Sequence, residues 1–135
     1  MAEYSPTTWV EDSAPGISAT QLNRMEAGIA AALEFTEKWQ ELTIPAAGSW
    51  QEIDLTSYGV GDANLVWLFL VNEASGMRYM GAREVGSALA RVRDCFPYHG
   101  TMVLPVKASG ANGTIEVWVQ STTDCQVFLM GYMGL

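Results

Sequence analysis

The sequence predicts a mostly β fold with an N-terminal helix: a short coiled-coil-like helix followed by a small antiparallel β-sandwich of jelly-roll type. Three observations carry this expectation. A helix-start signature, followed by apolar residues at alternating steps of three and four, begins at residue 18. From Trp50 onward the texture changes to short, β-rich runs. Between those runs turn residues recur at Tyr58-Gly59, Gly61-Asp62, Ser75-Gly76 and Ser109-Gly110, the punctuation of an all-β domain. The chain divides accordingly into a leader, 1–17, a helical stalk, 18–45, and a β-sandwich, 46–135.

Composition agrees with one small folded unit. The 135 residues are 49% hydrophobic and only 16% charged, and 15 acidic against 7 basic residues leave a net charge of −8. High hydrophobicity with little charge excludes intrinsic disorder. An acidic chain lacks the basic footprint that neutralises phosphates, so no nucleic acid is expected as a partner. The longest apolar run, Leu65 to Val71, is of strand length and far below the roughly 18 residues of a membrane span, so no membrane insertion is expected. The opening Met-Ala-Glu-Tyr shows neither the basic region nor the apolar stretch of a signal peptide. Sparse charge beside much apolar surface points to burial against other chains.

The leader is rich in turn residues (Ser5-Pro6, then Ser13-Ala14-Pro15-Gly16), with Tyr4 and Trp9 as its large apolar side chains. They serve either as anchors on a partner or as side chains folded back on their own domain. Ser18 and Gln21 then form a capping box, with Ile17 and Leu22 as its hydrophobic staple. The helix is expected from Ala19 to about Leu42, stopped by Pro45, roughly 36 Å at about 1.5 Å per residue. Its stripe reads Leu22, Met25, Ile29, Ala32, Thr36 and Trp39, a heptad spacing that Leu33 and Leu42 widen. Two arrangements satisfy that stripe: packing on the chain's own sheet, or packing against copies of itself as a short parallel coil.

The strands are expected at Trp50–Leu55, Leu65–Val71, Met77–Ala82, Ala88–Phe96, Thr101–Val106, Ile115–Gln120 and Cys125–Tyr132. Leu65–Val71 reads as a strand buried on both faces, because its apolar run is unbroken. Ile115, Val117 and Val119 alternate with Glu116, Trp118 and Gln120, a strand with one wetter face. Asn112-Gly113 suits a tight turn before it. The closing stretch, Phe128 to Leu135, carries no charge and is expected as a central or interface strand. Association as a trimer would remove further apolar area from water, at about 25 cal/mol per Å².

No catalytic constellation emerges, and neither a cofactor nor a metal site is expected. Cys95 and Cys125 lie in apolar segments and read as buried, reduced thiols, with a disulfide between them as the alternative. His99 is the single imidazole, too few ligands for structural zinc. Pro97 separates Cys95 from His99 and breaks any helix that would align them. Glu52 and Asp54 share one strand face, as surface carboxylates often do. Arg78, Arg83, Arg91 and Arg93 read as partners of acidic residues rather than as a phosphate site. Aromatic side chains in sandwiches can stack sugars, and Tyr58, Tyr98, His99 and Trp118 are the candidate glycan contacts; packing into the core is the competing role.

Residues 7–29 carry a Trp (Trp9), an Ala14-Pro15-x-Ile17 turn and a Leu22-Asn23-x-x-Glu26-x-Gly28-Ile29 helix start. This stretch resembles a motif near the start of tailed-bacteriophage structural proteins such as tail fibres and head fibres. It departs from that pattern at Asp12-Ser13, where the family usually has a glycine. Met102–Val106, Gly113–Glu116 and Val127–Tyr132 are similar to the small β-sandwich tips of phage fibres. The resemblance implies a non-enzymatic homotrimeric appendage in the virion. Tyr4, Pro6, Trp9 and Pro15 would dock it on other virion proteins (capsid, tail or baseplate). Leu22, Met25, Ile29, Ala32, Thr36 and Trp39 would form the trimer seam, and the sandwich would face outward, where a host surface glycan is a candidate partner. So short a chain suits a decoration, a head fibre or a tip module.

Overall fold

The computed structural model describes residues 18–134, without the side chains of 30–33. The leader, with Tyr4, Pro6, Trp9, Pro15 and the staple residue Ile17, lies outside the described residues, as does the side chain of Ala32.

Helix α1 spans Ala19–Leu33. Its start is the capping box read from the sequence: the Gln21 amide donates to Ser18 Oγ at 3.2 Å, and the Ser18 amide donates to Gln21 Oε1 at 2.8 Å. Its end corrects the sequence reading. The helix has 15 residues, and after the extended Glu34 the segment Phe35–Glu41 is a strand, β1, where the helix was expected to continue to Leu42. Thr36 and Trp39 therefore lie on a strand and not on a helical stripe, and strand structure starts at residue 35, inside the expected 18–45 stalk. The physical reason is non-local. Strand β8 (Cys125–Met133) would present a long uncharged open edge, and β1 pairs along it. Phe35, Thr36 and Trp39 are good strand formers, so backbone pairing overrides their helical spacing.

The remaining strands are β2 (Gln51–Asp54), β3 (Leu65–Asn72), β4 (Arg78–Glu84), β5 (Val92–Cys95), β6 (Gly100–Lys107) and β7 (Thr114–Val119). They build two antiparallel four-stranded sheets, ordered β1-β8-β3-β6 and β2-β7-β4-β5. The described residues are thus mostly β with a single helix, as the sequence predicts. The expected strand over Ala88–Phe96 contracts to Val92–Cys95, and an irregular loop occupies 85–91.

One apolar core lies between the sheets. Val66, Leu68, Leu70 and Leu129 from the first sheet meet Met80, Ile115, Val117 and Val119 from the second, all fully buried. Leu55 closes one end, and its amide donates to the Gly113 carbonyl at 3.3 Å. Gly113 holds a φ of 52° in the turn before β7, and a side chain there would collide with the Val60 carbonyl. Pairing and alternation also fix which loops share an end. The start of β1 lies beside the end of β8, the start of β3 and the end of β6 (Phe35, Met133, Leu65, Lys107). Helix α1 therefore joins the sheets at that end, with loops 55–64, 85–91 and 108–113. Loops 42–50, 73–77, 96–99 and 120–124 lie at the far end.

Candidate interaction surfaces

The first candidate surface is the outer face of the β1-β8-β3-β6 sheet. β3 is apolar at every position from Leu65 to Val71; Val66, Leu68 and Leu70 join the core cluster, and Val71, of the opposite parity, is buried at the strand's end. Leu65, Trp67 and Phe69 point away from the core and are partly exposed, which corrects the expectation of burial on both faces. Pairing places Met133, Gly131 and Phe128 beside them on β8 and Lys107, Pro105 and Val103 beside them on β6. β8 is an inner strand of this sheet, the central position expected for the uncharged stretch.

Strand β1 adds two aromatic side chains. The Phe35 ring lies over Gly131, which leaves room for it by having no Cβ. Between Glu37 and Gln40 the register shifts in a bulge, and Trp39 takes a φ of 51° there. The bulge re-aims Trp39 across the face, where its ring meets Phe69 edge-on at 5.9 Å. Phe69 in turn lies 6.4 Å from Phe128. Trp39 remains 52% exposed, and Phe35 and Val103 are exposed to a similar degree. Thr36 takes the opposite side of β1, opposite the half-buried Tyr132 that packs on the core, so its side chain turns away from this face.

The second surface is α1 itself. It buries none of its described residues, and Leu22, Met25 and Ile29 lie exposed along one side. Packing of the stripe on the chain's own sheets, one of the two arrangements the sequence allows, is not what the described residues show.

The third surface is at the far end, where loops 73–77 and 96–99 interlock around Asn72. This side chain is fully buried, and its Nδ2 donates to the carbonyls of Gly76 (2.9 Å) and Cys95 (3.0 Å). Its Oδ1 accepts from the Ala74 amide at 2.9 Å. The amides of Tyr98 and His99 donate to Ala74 and Asn72 carbonyls, at 2.9 and 2.8 Å. Both residues sit in the left-handed region, at φ 54° and 67°, a conformation costly for side-chain-bearing residues and held here by these bonds. Phe96 and Tyr98 are about 70% exposed, and His99 Nδ1 lies 3.1 Å from Glu73 Oε2. The structure brings together two of the four candidate glycan contacts, Tyr98 and His99. Tyr58 packs on the core near the opposite end, and Trp118 lies on the outer face of the second sheet, the wetter face its alternation predicts. Phe96, Glu73 and Asn72 escaped the sequence reading. The run Phe96-Pro97-Tyr98-His99-Gly100, aromatic residues set in a proline–glycine turn, was the available signal.

The arginines that the sequence grouped are engaged one by one. Arg78 contacts Asp124 at 2.7 Å. Arg83 contacts Glu116 at 2.6 Å and covers the Trp50 ring at 4.0 Å. Arg91 donates to the Pro105 carbonyl and Arg93 to the Val92 carbonyl. These arginines form no shared anion site. Asp54 accepts from the hydroxyl and amide of Thr56, which hold its carboxyl below the usual range. Its strand-mate Glu52 is exposed and faces Glu116 across the sheet. Cys95 and Cys125 are free and buried, and burial pushes both thiols up. Cys95 Sγ donates to the Gly100 carbonyl at 3.1 Å and the His99 imidazole turns to Glu73. Among the described residues no group of three His, Cys, Asp or Glu side chains is placed to hold a metal ion, and no helix is long and apolar enough to cross a membrane.

In comparisons with known proteins, no family model, no curated protein and no solved structure matches this chain.

Proposed function

We propose that this chain is a non-enzymatic structural protein of a bacteriophage virion, a short trimeric fibre or decoration appendage held by its N-terminal leader. The observation that carries this reading is polarity. Helix α1, which carries the second half of the phage-like motif, joins the sandwich at one end, and the exposed aromatic loop 96–99 lies at the other. An appendage needs one end to attach and one to face outward. The strand pairing supports a jelly roll: β1 with β8, β2 with β7, β3 with β6 and β4 with β5 is a long hairpin rolled into two facing sheets. The exposed stripe of Leu22, Met25 and Ile29 supports a short parallel coil of copies. Deleting residues 1–17 tests attachment. The truncated protein should fold and associate but be missing from purified particles; unchanged incorporation would refute docking through Tyr4, Pro6, Trp9 and Pro15.

A second reading, host adhesion through a surface glycan, is favoured by the far-end loops. The C–H face of a sugar ring stacks on the electron-rich face of an aromatic ring, and Tyr98 with the His99–Glu73 pair offers such a ring beside hydrogen-bonding groups. Binding on a glycan array that Tyr98→Ala abolishes supports adhesion. An array without signal for the intact oligomer argues against it.

A further inference from the structure

We infer that the outer face of the β1-β8-β3-β6 sheet is the main contact between protomers, closing three copies of this chain around an axis. The inference rests on the self-association proposed above and assigns it a surface larger than the helix.

A sandwich normally leaves one side of each sheet to water, so its strands alternate apolar and polar. The second sheet does so, with Glu52, Arg83 and Glu116 on its outer side. The first sheet does not. Trp67, Phe69 and Phe128 occupy its centre, the Trp39 ring reaches Phe69 from the edge strand β1, and charge stands on the edge strands, at Glu37 and Glu41 on β1 and Lys107 on β6. An apolar centre with a polar rim is the anatomy of a protein interface. Eight-residue strands at about 3.3 Å per residue and four strands about 4.8 Å apart give a face of roughly 450 Å². That lies within the range of the largest patch on an ordinary monomer, roughly 300–600 Å², where such a patch is often functional. Adding the exposed side of α1 from Leu22 to Ile29, about 12 Å by 10 Å, brings the surface to roughly 570 Å². A standard interface takes about 800 Å² from each partner.

The occupant must cover a heptad-spaced helix side and a flat sheet face joined through Phe35, the first residue of β1. Copies of the chain do both at once. Three copies also fit the dimensions. Packed sheets stand about 10 Å apart, so each contributes about 5 Å of side chain. A triangular prism with walls about 5 Å from its axis has sides about 17 Å wide, and four strands span about 14 to 19 Å. Trp67, Phe69 and Phe128 would then fill the prism and exclude water from one another across the axis.

Val103 tests this. It stands on the edge strand β6, is about half exposed within one protomer, and its replacement by Glu leaves the core between the sheets untouched. Full-length protein and the Val103→Glu variant are compared by light scattering over a dilution series, with circular dichroism to report folding. The wild type should give the mass of three chains. Val103→Glu should keep the β spectrum while its dissociation midpoint rises by about a hundredfold or more, because each copy carries an unpaired charge into the apolar prism. A trimer that Val103→Glu leaves intact overturns the sheet assignment while self-association stands, and Ile29→Glu then reports whether the helix alone holds it. A wild-type dimer overturns threefold closure. A wild-type monomer at micromolar concentration overturns both the inference and the self-association beneath it. Should Val103→Glu lose its β spectrum, Val103→Lys and acrylamide quenching of wild-type tryptophan fluorescence on dilution replace it. Quenching that does not change with the concentration-dependent mass refutes burial of Trp39 and Trp67.

Discussion

Replacing Asn72 with Ala removes the buried side chain that ties loop 73–77 to the end of β5, where loop 96–99 begins. Asn72 is fully buried and makes three hydrogen bonds to backbone groups, two as donor and one as acceptor. A buried hydrogen bond contributes about 1 kcal/mol net, and each partner left dry and unpaired costs about 1–3 kcal/mol. The Gly76 bond is only part-buried, so water reaches that carbonyl, whereas the bonds to the Cys95 carbonyl and the Ala74 amide are buried. The expected destabilisation is about 3 kcal/mol. Urea unfolding at fixed protein concentration measures it, since any association enters the apparent stability. With a slope of about 2 kcal/mol per molar, the midpoint should fall by about 1.5 M at unchanged slope. Asn72→Asp keeps the acceptor for Ala74 but points a carboxylate at two carbonyls, and should destabilise the chain more than Ala does. A loss below about 1 kcal/mol for Asn72→Ala, or a better-tolerated Asp, would refute the account of this residue as the organiser of the loops.

Gly131→Ala pushes a methyl group into the Phe35 ring and the Thr36 backbone, so the thermal midpoint should fall by the equivalent of about 1–3 kcal/mol. Adding Phe35→Ala should recover part of that loss, and strict additivity in the double-mutant cycle would show that the two positions do not touch. The buried thiols make stability depend on alkaline pH. Their folded pKa values are raised by burial, so the unfolded chain ionises first. Their contribution is full below the ordinary thiol value of about 8.5 and is lost as pH rises through the folded values. Midpoints measured through that range should fall more steeply in wild type than in the Cys95→Ala, Cys125→Ala double variant; parallel curves would contradict burial of both thiols.

Local signals were read from the sequence correctly where local chemistry decides. The Ser18–Gln21 capping box forms as read, because both partners lie within one turn. The alternation of Ile115, Val117 and Val119 against Trp118 holds because burial on one sheet face has a period of two. The end of the helix was not legible, since the partner that converts 35–41 into a strand lies about 90 residues away in β8. Trp39 illustrates the same point. It reaches an apolar surface, as its spacing with Met25 and Ile29 suggested, but through a strand bulge and not a helical turn. Asn72 reads as a polar residue closing an apolar strand, and only folding shows which backbone groups it serves. Of the candidate surfaces, the helix stripe was visible as a period. The sheet face was hidden in Leu65–Val71, where an unbroken apolar run cannot say which of its two sides meets the core.

The position of β8 has a consequence for biogenesis. It lies between β1 and β3, and β1 has no other strand to pair with. Until Cys125–Met133 has left the ribosome, β1 stays unpaired and β3 has only β6 beside it. The face built by β1, β8 and β3 cannot exist on a nascent chain whose β8 has yet to emerge, so two such chains cannot join through it. If protomers meet through this face as proposed above, that contact requires β8, and a message truncated before codon 125 yields a product without the face.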